Sequence, residues 1–247
     1  MTQRVALVTG AARGLGRAIA EELAGQGCAL LAVDVLAEPL HESCVALVAA
    51  GGRCIAHVAD ISTRAACIAA VEAAVAAHGR LDVLVNAAGL MRFHHAGEVS
   101  EADFAKIMAV NAAAPFWLAQ AALPHLVAAR GNMVNVLSQS AFLGAPYIVP
   151  YSMSKAALLQ MTKSLAMEYM GQPVRINAVA PGAMLTGISN ETRPPADADF
   201  AAIKRYSGAR PPASPAEVAA VVGFITSAAA SNVHGAIWTA DGGVTAG

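Results

Sequence analysis

Short runs of β-forming, apolar residues alternate with longer, alanine-rich stretches along most of this chain. In the first half, the β-type runs span residues 5–9, 28–34, 53–58 and 81–86. The stretches between them carry apolar residues at helical spacing, over residues 14–26, 38–50 and 62–78. Strands that alternate with helices of this length form βαβ units, and their continuous apolar character indicates a parallel sheet covered on both faces.

The second half continues the same alternation. Its β-type runs span residues 132–137, 174–179 and 236–239. Helical stretches precede these runs, over residues 100–126, 151–170 and 215–229. No segment resembles a linker, so the sequence predicts one doubly wound α/β domain over residues 1–247, with a seven-stranded parallel sheet flanked by helices. The proline-rich segment 187–212 lacks regular periodicity and is predicted to be a lid over the substrate, with a mobile surface insertion as the alternative.

The charge balance narrows the possible partners. The chain has 16 basic and 17 acidic residues and a formal charge of −1, which favours neither nucleic acid nor an anionic membrane. Only 13% of the residues are charged, which suggests that another subunit covers part of the surface. The stretch 107–129 has no charged residue but contains amides and prolines, so we predict a buried helix there rather than a membrane span.

The cysteines and the first residues of the chain indicate in which cellular compartment the protein is expected. Cys28, Cys44, Cys54 and Cys67 show neither a CxxC pattern nor metal-ligand spacing, which predicts reduced thiols packed as small hydrophobes and no metal site. No basic segment precedes an apolar stretch near the first residue, so we expect no signal peptide and a cytoplasmic location.

Three glycines follow the first predicted strand, namely Gly10, Gly14 and Gly16, with Arg13 and Leu15 among them. In such a turn, Gly10 would permit the sharp bend, Gly14 would let the backbone approach a pyrophosphate, and Gly16 would let the helix pack closely on the strand. The N–H groups at the start of the helix would then face the anion. Glycines are common in turns, but this trio lies between a predicted strand and a predicted helix, and it therefore predicts a dinucleotide site.

Acidic residues end the next two predicted strands. Asp34 lies about 20 residues after the glycines, where a carboxylate accepts hydrogen bonds from an adenosine ribose. It would repel a 2′-phosphate and thus predicts NAD rather than NADP, whereas Arg13 could pair with that phosphate. Asp60 and Ile61 are predicted to contact the adenine, although Asp60 is equally suited to a helix N-terminal turn.

The run Asn86, Ala87, Ala88 and Gly89 follows the fourth predicted strand, and small residues there let the chain pass close to a ligand. Asn111 lies in an apolar helical stretch, where a buried amide needs hydrogen-bond partners. The spacing leaves open whether that amide is structural or functional.

Tyr151 and Lys155 are four residues apart at the start of a predicted helix and share one face. An ammonium beside the phenol, together with a positive nicotinamide ring, would stabilise the phenolate and let Tyr151 exchange a proton with an alcohol. Ser138, at the end of the fifth predicted strand, would hydrogen-bond the substrate oxygen. A Tyr-x-x-x-Lys pair alone occurs by chance in many helices. The catalytic interpretation of this pair therefore depends on the serine at the strand end and on the predicted dinucleotide site.

These motifs, in this order and spacing, resemble those of the short-chain dehydrogenase/reductase family over essentially the whole chain. The resemblance implies a Rossmann-type fold and hydride transfer between NAD and a secondary alcohol or ketone. It implies that Tyr151 is the general acid/base, that Lys155 lowers its pKa and holds the nicotinamide ribose, and that Ser138 orients the substrate oxygen. Asn111 would hold a water that links Lys155 to solvent.

The stretch that contains Pro181, Gly182, Met184 and Thr186 resembles the nicotinamide-side motif of that family. The backbone near Met184 and the Thr186 hydroxyl would contact the carboxamide. The family typically forms tetramers, which implies a homo-oligomer here. Two alternatives stay open: an NADP(H)-dependent ketoreductase of the same fold, and a dinucleotide-binding protein without catalysis.

The walls of the substrate pocket are expected from the loop after Gly89, the loop 138–150 and the segment 181–212. The apolar candidates are Met91, Phe93, Phe142, Leu143, Tyr147 and Met184. The polar candidates are Arg92, His94, Gln139 and Arg193. This mixture suggests a mostly apolar small molecule with a secondary alcohol or ketone, and we expect both arginines to face solvent.

Overall fold

The computed structural model describes residues 3–184, 193–206, 208 and 210–246. Its strands are β1 (Val5–Thr9), β2 (Ala29–Asp34), β3 (Arg53–Val58), β4 (Val83–Asn86), β5 (Asn132–Val136), β6 (Arg175–Pro181) and β7 (Ile237–Ala240). They form one seven-stranded sheet in the order β3-β2-β1-β4-β5-β6-β7, and all neighbouring strands are parallel. The predicted single α/β domain with a doubly wound parallel sheet is therefore confirmed.

Helices cover both faces of the sheet. They are α1 (Gly14–Gly25), α2 (Ala37–Ala49), α3 (Arg64–His78), α4 (Glu101–Met108), α5 (Ala114–Ala129), α6 (Val149–Glu168), α7 (Phe200–Tyr206) and α8 (Pro215–Thr226). Successive strand side chains point to opposite faces, so Leu30 packs with α1, α2 and α8 while Leu31 packs with α3 and α5. The five inner strands are buried on both sides, which explains their apolar sequences, whereas the edge strands β3 and β7 are partly exposed.

The predicted helix over residues 100–126 is interrupted. Ser100 caps α4 by accepting a hydrogen bond from the Asp103 N–H at 3.1 Å, and a π-helical turn over Ala109–Ala113 then leads into α5. Such turns are uncommon and occur often at functional sites. This one contains Asn111.

Helix α7 lies in the segment 187–212, for which no regular structure was predicted. Residues 187–192, 207 and 209 of that segment lie outside the described residues. The helix is only seven residues long, and its apolar residues give too short a pattern for periodicity to be recognised.

By its length and composition alone, the continuous helical stretch Glu101–Ala129 could cross a membrane. Its inner face nevertheless belongs to the core, because Leu118, Ala122 and Leu126 are fully buried against the sheet. The prediction of a buried helix is confirmed for this inner face, whereas Phe104 and Phe116 of the same stretch are exposed.

The strand order reverses between β1 and β4, which are neighbours in the sheet. At such a point the connections leave to opposite faces, and a crevice opens beyond the carboxyl ends of the strands. Here Thr9, the last residue of β1, accepts hydrogen bonds at 3.1 Å from the N–H groups of both Ala87 and Ala88. Its hydroxyl joins the two chain segments that border the crevice.

Candidate active site

The glycine turn, residues 10–16, lies at the end of β1 and passes into α1. Gly10 has a φ of +70°, and a Cβ atom on it would lie 2.8 Å from the Cα of Ala88. A Cβ on Gly16 would lie only 2.0 Å from the carbonyl oxygen of Gly10. The same Cβ would lie 3.1 Å from the carbonyl oxygen of Thr9, the last residue of β1, so Gly16 packs closely on the turn and on the end of the strand.

The start of α1 is suited to an anion. Arg13 occupies the position before the helix and, as a cation, cannot accept hydrogen bonds from the amides of the first turn. The side chain of Leu15 is buried in the core, so this residue offers a ligand mainly its backbone. Amides at a helix start, together with the helix dipole, favour a phosphate. A pyrophosphate fits the residues of this turn.

Asp34 ends β2 next to the glycine turn, as predicted. Its carboxylate accepts a hydrogen bond from the Ala12 N–H at 3.0 Å and another from the Leu36 N–H at 3.1 Å. These two bonds hold the carboxylate at the rim of the turn. They leave it further acceptor capacity, because an ionised carboxylate has about four lone-pair positions.

Asp60 has protein partners on both oxygens. Lys106 of α4 donates a hydrogen bond to it at 2.7 Å, and the Ser62 N–H donates another at 3.0 Å. The bond from Lys106, chiefly, lowers the pKa of Asp60 to about 2. The cap of α3 is Thr63, so Asp60 is not the capping residue. Ile61 is buried in the core beneath this loop, and a contact of either residue with adenine stays a prediction.

The run 86–89 lies against two other parts of the site. The Asn86 side chain donates to the Asn135 side chain at 2.8 Å, and Asn135 donates to the hydroxyl of Thr162 in α6 at 2.9 Å. This buried series ties the ends of β4 and β5 to α6. A Cβ on Gly89 would lie 3.7 Å from the Lys155 ammonium nitrogen, which is an ordinary van der Waals distance, so Gly89 lies directly beside that group.

Asn111 is fully buried and its amide is well satisfied. It donates to the Leu90 carbonyl at 2.8 Å and to the Ser154 hydroxyl at 3.0 Å, and it accepts from the Leu90 N–H at 2.8 Å. The side chain thereby joins the loop after β4 to α6. These contacts support the structural interpretation that the sequence left open, and the water-holding role stays a prediction.

Ser138, Tyr151 and Lys155 come together at the carboxyl end of the sheet. Ser138 follows β5, and its side chain is hydrogen-bonded to the Tyr151 phenol. Helix α6 begins at Val149, so Tyr151 and Lys155 lie in its first two turns and the Lys155 nitrogen is 5.7 Å from the centre of the tyrosine ring. Lys155 also donates to the Val136 carbonyl at 2.8 Å. The predicted serine, tyrosine and lysine therefore form one cluster.

Burial controls the protonation of this cluster. It raises the pKa of Tyr151 to about 12, against an opposing effect of the Ser138 hydrogen bond, and the Tyr206 phenol adds to the increase. Burial also lowers the pKa of Lys155 to about 8. The phenol pKa thus lies above its ordinary value, and the decrease expected beside an ammonium and a positive nicotinamide ring stays a prediction. A low-dielectric surrounding disfavours both charged forms when no further cation lies beside the phenol.

The nicotinamide-side stretch begins at the end of β6, which includes Pro181. A Cβ on Gly182 would lie 2.8 Å from the Cα of Asp241 and 2.9 Å from the side-chain oxygen of Gln139. Met184 forms a parallel bridge with Ala213, and Thr186 lies outside the described residues. Gly182 thus allows this stretch to pass between the β5 and β7 ends.

The pocket walls contact one another through polar groups. His95, after β4, is hydrogen-bonded to Asp197 at 2.9 Å, and the Tyr147 hydroxyl accepts from the Asp199 N–H at 2.7 Å. The hydrogen bond with Asp197 raises the pKa of His95. Arg92 forms an ion pair with Asp103, so its charge is directed to a protein carboxylate at the surface.

Three residues near the site were not predicted to belong to it. Thr9 joins the glycine turn to the run 86–89, and its place directly before Gly10 is a usable signal. Ser154 accepts from Asn111 and donates to the Tyr151 carbonyl at 2.6 Å. Tyr206 raises the pKa of Tyr151 and its carbonyl accepts from Gln139 at 2.9 Å, but it stands in an unpatterned segment with no sequence signal.

Comparison with known proteins gives the family. A model of the short chain dehydrogenase family matches residues 4–197. The chain belongs to this family. Short-chain dehydrogenases bind nicotinamide dinucleotides, and several members that resemble this chain are oxidoreductases that act on alcohols and ketones.

Two named relatives span nearly the whole chain. The D-threitol dehydrogenase of Mycolicibacterium smegmatis is 35% identical over 98% of this chain and 93% of its own length. The galactitol 2-dehydrogenase (L-tagatose-forming) of Cereibacter sphaeroides is 36% identical over 97% of this chain and 94% of its own length.

Solved structures agree on the fold. A provisionally assigned NAD(P)-dependent gluconate 5-dehydrogenase from Beutenbergia cavernae, with NADP bound at low occupancy, has a TM-score of 0.90 at 34% identity and covers 100% of this chain and 98% of its own. A dehydrogenase/reductase from Sinorhizobium meliloti has a TM-score of 0.89 at 35% identity and covers 99% of this chain and 96% of its own.

Proposed function

We propose that this short-chain dehydrogenase is an NAD(H)-dependent enzyme that interconverts a secondary alcohol and its ketone. The observation that carries the proposal is the cluster of Ser138, Tyr151 and Lys155 beside the glycine turn, at the carboxyl end of the sheet. Proton transfer by a positioned phenol requires a substrate oxygen within hydrogen-bond reach, and Ser138 holds a hydroxyl at the same place.

Each residue of the cluster has a distinct task. Tyr151 moves the proton to or from the substrate oxygen, and Ser138 donates a hydrogen bond to that oxygen as charge develops. Lys155 holds a positive charge beneath the phenol and binds the nicotinamide ribose. When bound, the nicotinamide supplies or accepts the hydride. Burial raises the pKa of Tyr151 to about 12, and the positive charges of Lys155 and of a bound oxidised nicotinamide would stabilise the phenolate.

The dinucleotide is held by the predicted residues. The glycine turn and the start of α1 bind the pyrophosphate, and Asp34 accepts from the adenosine ribose. Asp60 and Ile61 border the adenine, the run 86–89 borders the cofactor along β4, and Pro181, Gly182, Met184 and Thr186 border the nicotinamide. The carboxylate of Asp34 carries the preference for NAD, because it would meet a 2′-phosphate at close range.

NADP is the second candidate cofactor. It is favoured by Arg13 in the glycine turn and by the Beutenbergia cavernae structure, which contains NADP. Dissociation constants for the two dinucleotides decide between them, and a smaller constant for NADP would show that our assignment is wrong.

The substrate is a small molecule whose reacting carbon carries a secondary hydroxyl. The relatives named for D-threitol and galactitol act on polyols, so polyols are the first compounds to test. The contacts of His95 and Tyr147 with the segment 193–206 support a lid at this place, formed by residues 187–212. We further propose a cytoplasmic homotetramer.

Tyr151→Phe tests the chemistry. The change keeps the ring and removes the proton donor, so turnover falls by about 100-fold or more while NAD binding is retained. Nicotinamide absorbance with a panel of polyols and other secondary alcohols measures turnover, and intrinsic fluorescence measures binding. Ser152→Ala, one residue further along α6, is the control. A Tyr151→Phe enzyme with more than about a tenth of the native rate would contradict the assignment.

A further inference from the structure

Two of the four cysteines lie side by side in space. Cys44 is in α2 and Cys54 is in β3, and their sulfur atoms are 2.8 Å apart although the residues are separated by 10 positions. A disulfide bond is about 2.05 Å long, so these atoms are within about 1 Å of bonding distance. The other two cysteines, Cys28 and Cys67, are buried in other parts of the core.

The pair lies at the margin of the molecule. β3 is the edge strand of the sheet, and Cys54 is half-buried there with the exposed Ile55 beside it. Cys44 is buried beneath it and packs with Leu40 and Leu47 of the same helix. A small oxidant in solvent therefore reaches Cys54 and its partner more readily than it reaches Cys28 or Cys67, whose side chains are 1% and 0% exposed.

We propose that Cys44 and Cys54 are a reversible redox modification site, which a peroxide oxidises to an intramolecular disulfide within the native fold. The distance between the sulfur atoms carries this inference. It requires only a small displacement of α2 relative to β3, and neither cysteine belongs to the active site.

The hydrogen bond within the pair assigns the roles. The Cys54 thiol donates to the Cys44 sulfur, which lowers the pKa of Cys44 and raises that of Cys54. Cys44 is therefore the thiolate that attacks the peroxide oxygen, and the O–O bond breaks to give a sulfenic acid and, after protonation, one water. The Cys54 sulfur then attacks the Cys44 sulfur, and the sulfenic oxygen leaves as a second water. The two thiols supply the two electrons and both protons, and a dithiol reductant restores them.

A disulfide between Cys44 and Cys54 would fix α2, which borders the proposed site of the adenosine. Helix α2 begins three residues after Asp34, and its Ser43, next to Cys44, donates to the Ala11 carbonyl of the glycine turn at 3.2 Å. A link between α2 and β3 closes a short loop of the unfolded chain. It should therefore increase the midpoint of thermal unfolding, by about 5 °C for a domain of this size.

Peptide mapping after oxidation tests the proposal directly. The native protein is treated with a stoichiometric amount of hydrogen peroxide, the remaining thiols are blocked, and the chain is cleaved after Arg and Glu. Cys44 is then in peptide 43–53 and Cys54 is in peptide 54–64. We expect these two peptides joined by a disulfide, lighter by two hydrogen atoms than their sum, and separated again by dithiothreitol.

Variants distinguish the native pair from other oxidation. Cys44→Ala and Cys54→Ser each remove the linked peptides and the increase in the unfolding midpoint, whereas Cys67→Ala, the matched control, keeps both. Failure to find the linked peptides in the oxidised native protein would overturn the proposal. So would linked peptides that form only in denaturant, or that leave the midpoint of the native protein unchanged. Because the readouts are mass and stability, they do not depend on the proposed dehydrogenase activity.

Discussion

Lys155 is a buried ammonium whose hydrogen-bonding partner is the carbonyl of Val136. Burial lowers its pKa to about 8, which shows that the fold disfavours the charge that the proposed chemistry uses. A buried lysine with a lowered pKa reduces the free energy of unfolding at every pH at which it is protonated in the folded protein. At this residue the fold and the proposed activity have opposite requirements.

Lys155→Met should separate these two effects. Turnover should fall by about 100-fold or more, because the phenol loses the adjacent positive charge. The midpoint of thermal unfolding should increase at pH 6 to 7, since methionine fills a similar volume without a buried charge. Activity assays and thermal scans of the variant and the native protein measure the two outcomes.

The contribution of Lys155 to the stability of the folded protein depends on pH. Between pH 8 and 10.5, the folded native protein has lost the Lys155 proton while the unfolded chain retains it. The contribution of Lys155 to the free energy of unfolding therefore increases with pH over that interval. The advantage of the methionine variant should be largest below pH 8 and should decrease above it. A variant that is less stable by the same amount at every pH would show that the ammonium is not strained.

Asp34→Asn tests the cofactor preference. The change removes the negative charge but keeps an oxygen that can accept from the Ala12 N–H. We expect the ratio of the NADP to the NAD dissociation constant to fall by about 10-fold, because a like-charge contact with the 2′-phosphate disappears.

Asp60→Asn is the matched control for that experiment. It removes a carboxylate of the same region whose partners are Lys106 and Ser62. The affinities for both dinucleotides should change together and leave their ratio unaltered. Equal ratios in the native protein and the Asp34→Asn variant would exclude Asp34 as the selecting group.

At the scale of elements, the helix that carries Asn111 shows how packing modifies a predicted segment. The π-helical turn between α4 and α5 places the Asn111 amide against Leu90 and Ser154. A regular helix over the same residues would have distributed its side chains at a different spacing. The element's existence was evident from its apolar periodicity, and its interruption was not.

Residues 187–212 should close over the bound cofactor. In the described part, Asp197 and Asp199 already contact His95 and Tyr147 of the two other pocket walls. Saturating NAD should therefore slow tryptic cleavage after the exposed Lys204 in α7, by about 5-fold if binding orders the segment. Mass spectrometry of timed digests measures the rate.

Cleavage after Arg130 is the internal control for that digest. This exposed residue directly follows α5 at the opposite, amino-terminal edge of the sheet, away from the proposed cofactor site. Its rate should not respond to NAD. Equal protection at both positions would indicate general stabilisation, and no protection at Lys204 would contradict the lid.

At the scale of the whole molecule, large apolar side chains lie exposed on α4, α5 and α6. Phe104 and Phe116 are each 39% exposed, Met153 is 48% exposed and Met167 is 67% exposed. Apolar side chains gathered on neighbouring elements are typical of interfaces between subunits. They agree with the low fraction of charged residues, which is 13%.

If the proposed homotetramer forms, light scattering after size-exclusion chromatography should show a mass of about four chains. Phe116→Glu, which adds a charge to α5, should shift the mass towards smaller species. Val48→Glu on α2, at a position that is 52% exposed, should leave it unchanged. A monomer in the native protein would show that these side chains face solvent.

The sequence by itself determined the class of fold, the order of the elements and the identity of the catalytic candidates. Alternating periodicities define strands and helices locally, and glycines before a helix or a Tyr-x-x-x-Lys pair are short patterns that spacing alone reveals. For the same reason, Gly10, Asp34 and Ser138 could be placed at strand ends, and Tyr151 at the start of a helix, before any contact was known.

The tertiary structure decided what depends on distance and burial. It joined Asp60 to Lys106, Asn111 to Leu90 and Cys44 to Cys54, and it determined that burial raises the pKa of the Tyr151 phenol. No local pattern encodes such contacts, because they arise between elements that meet only when the sheet and its helices pack. Burial likewise depends on the surroundings of a side chain rather than on its type, and so the protonation of the site was not readable from spacing.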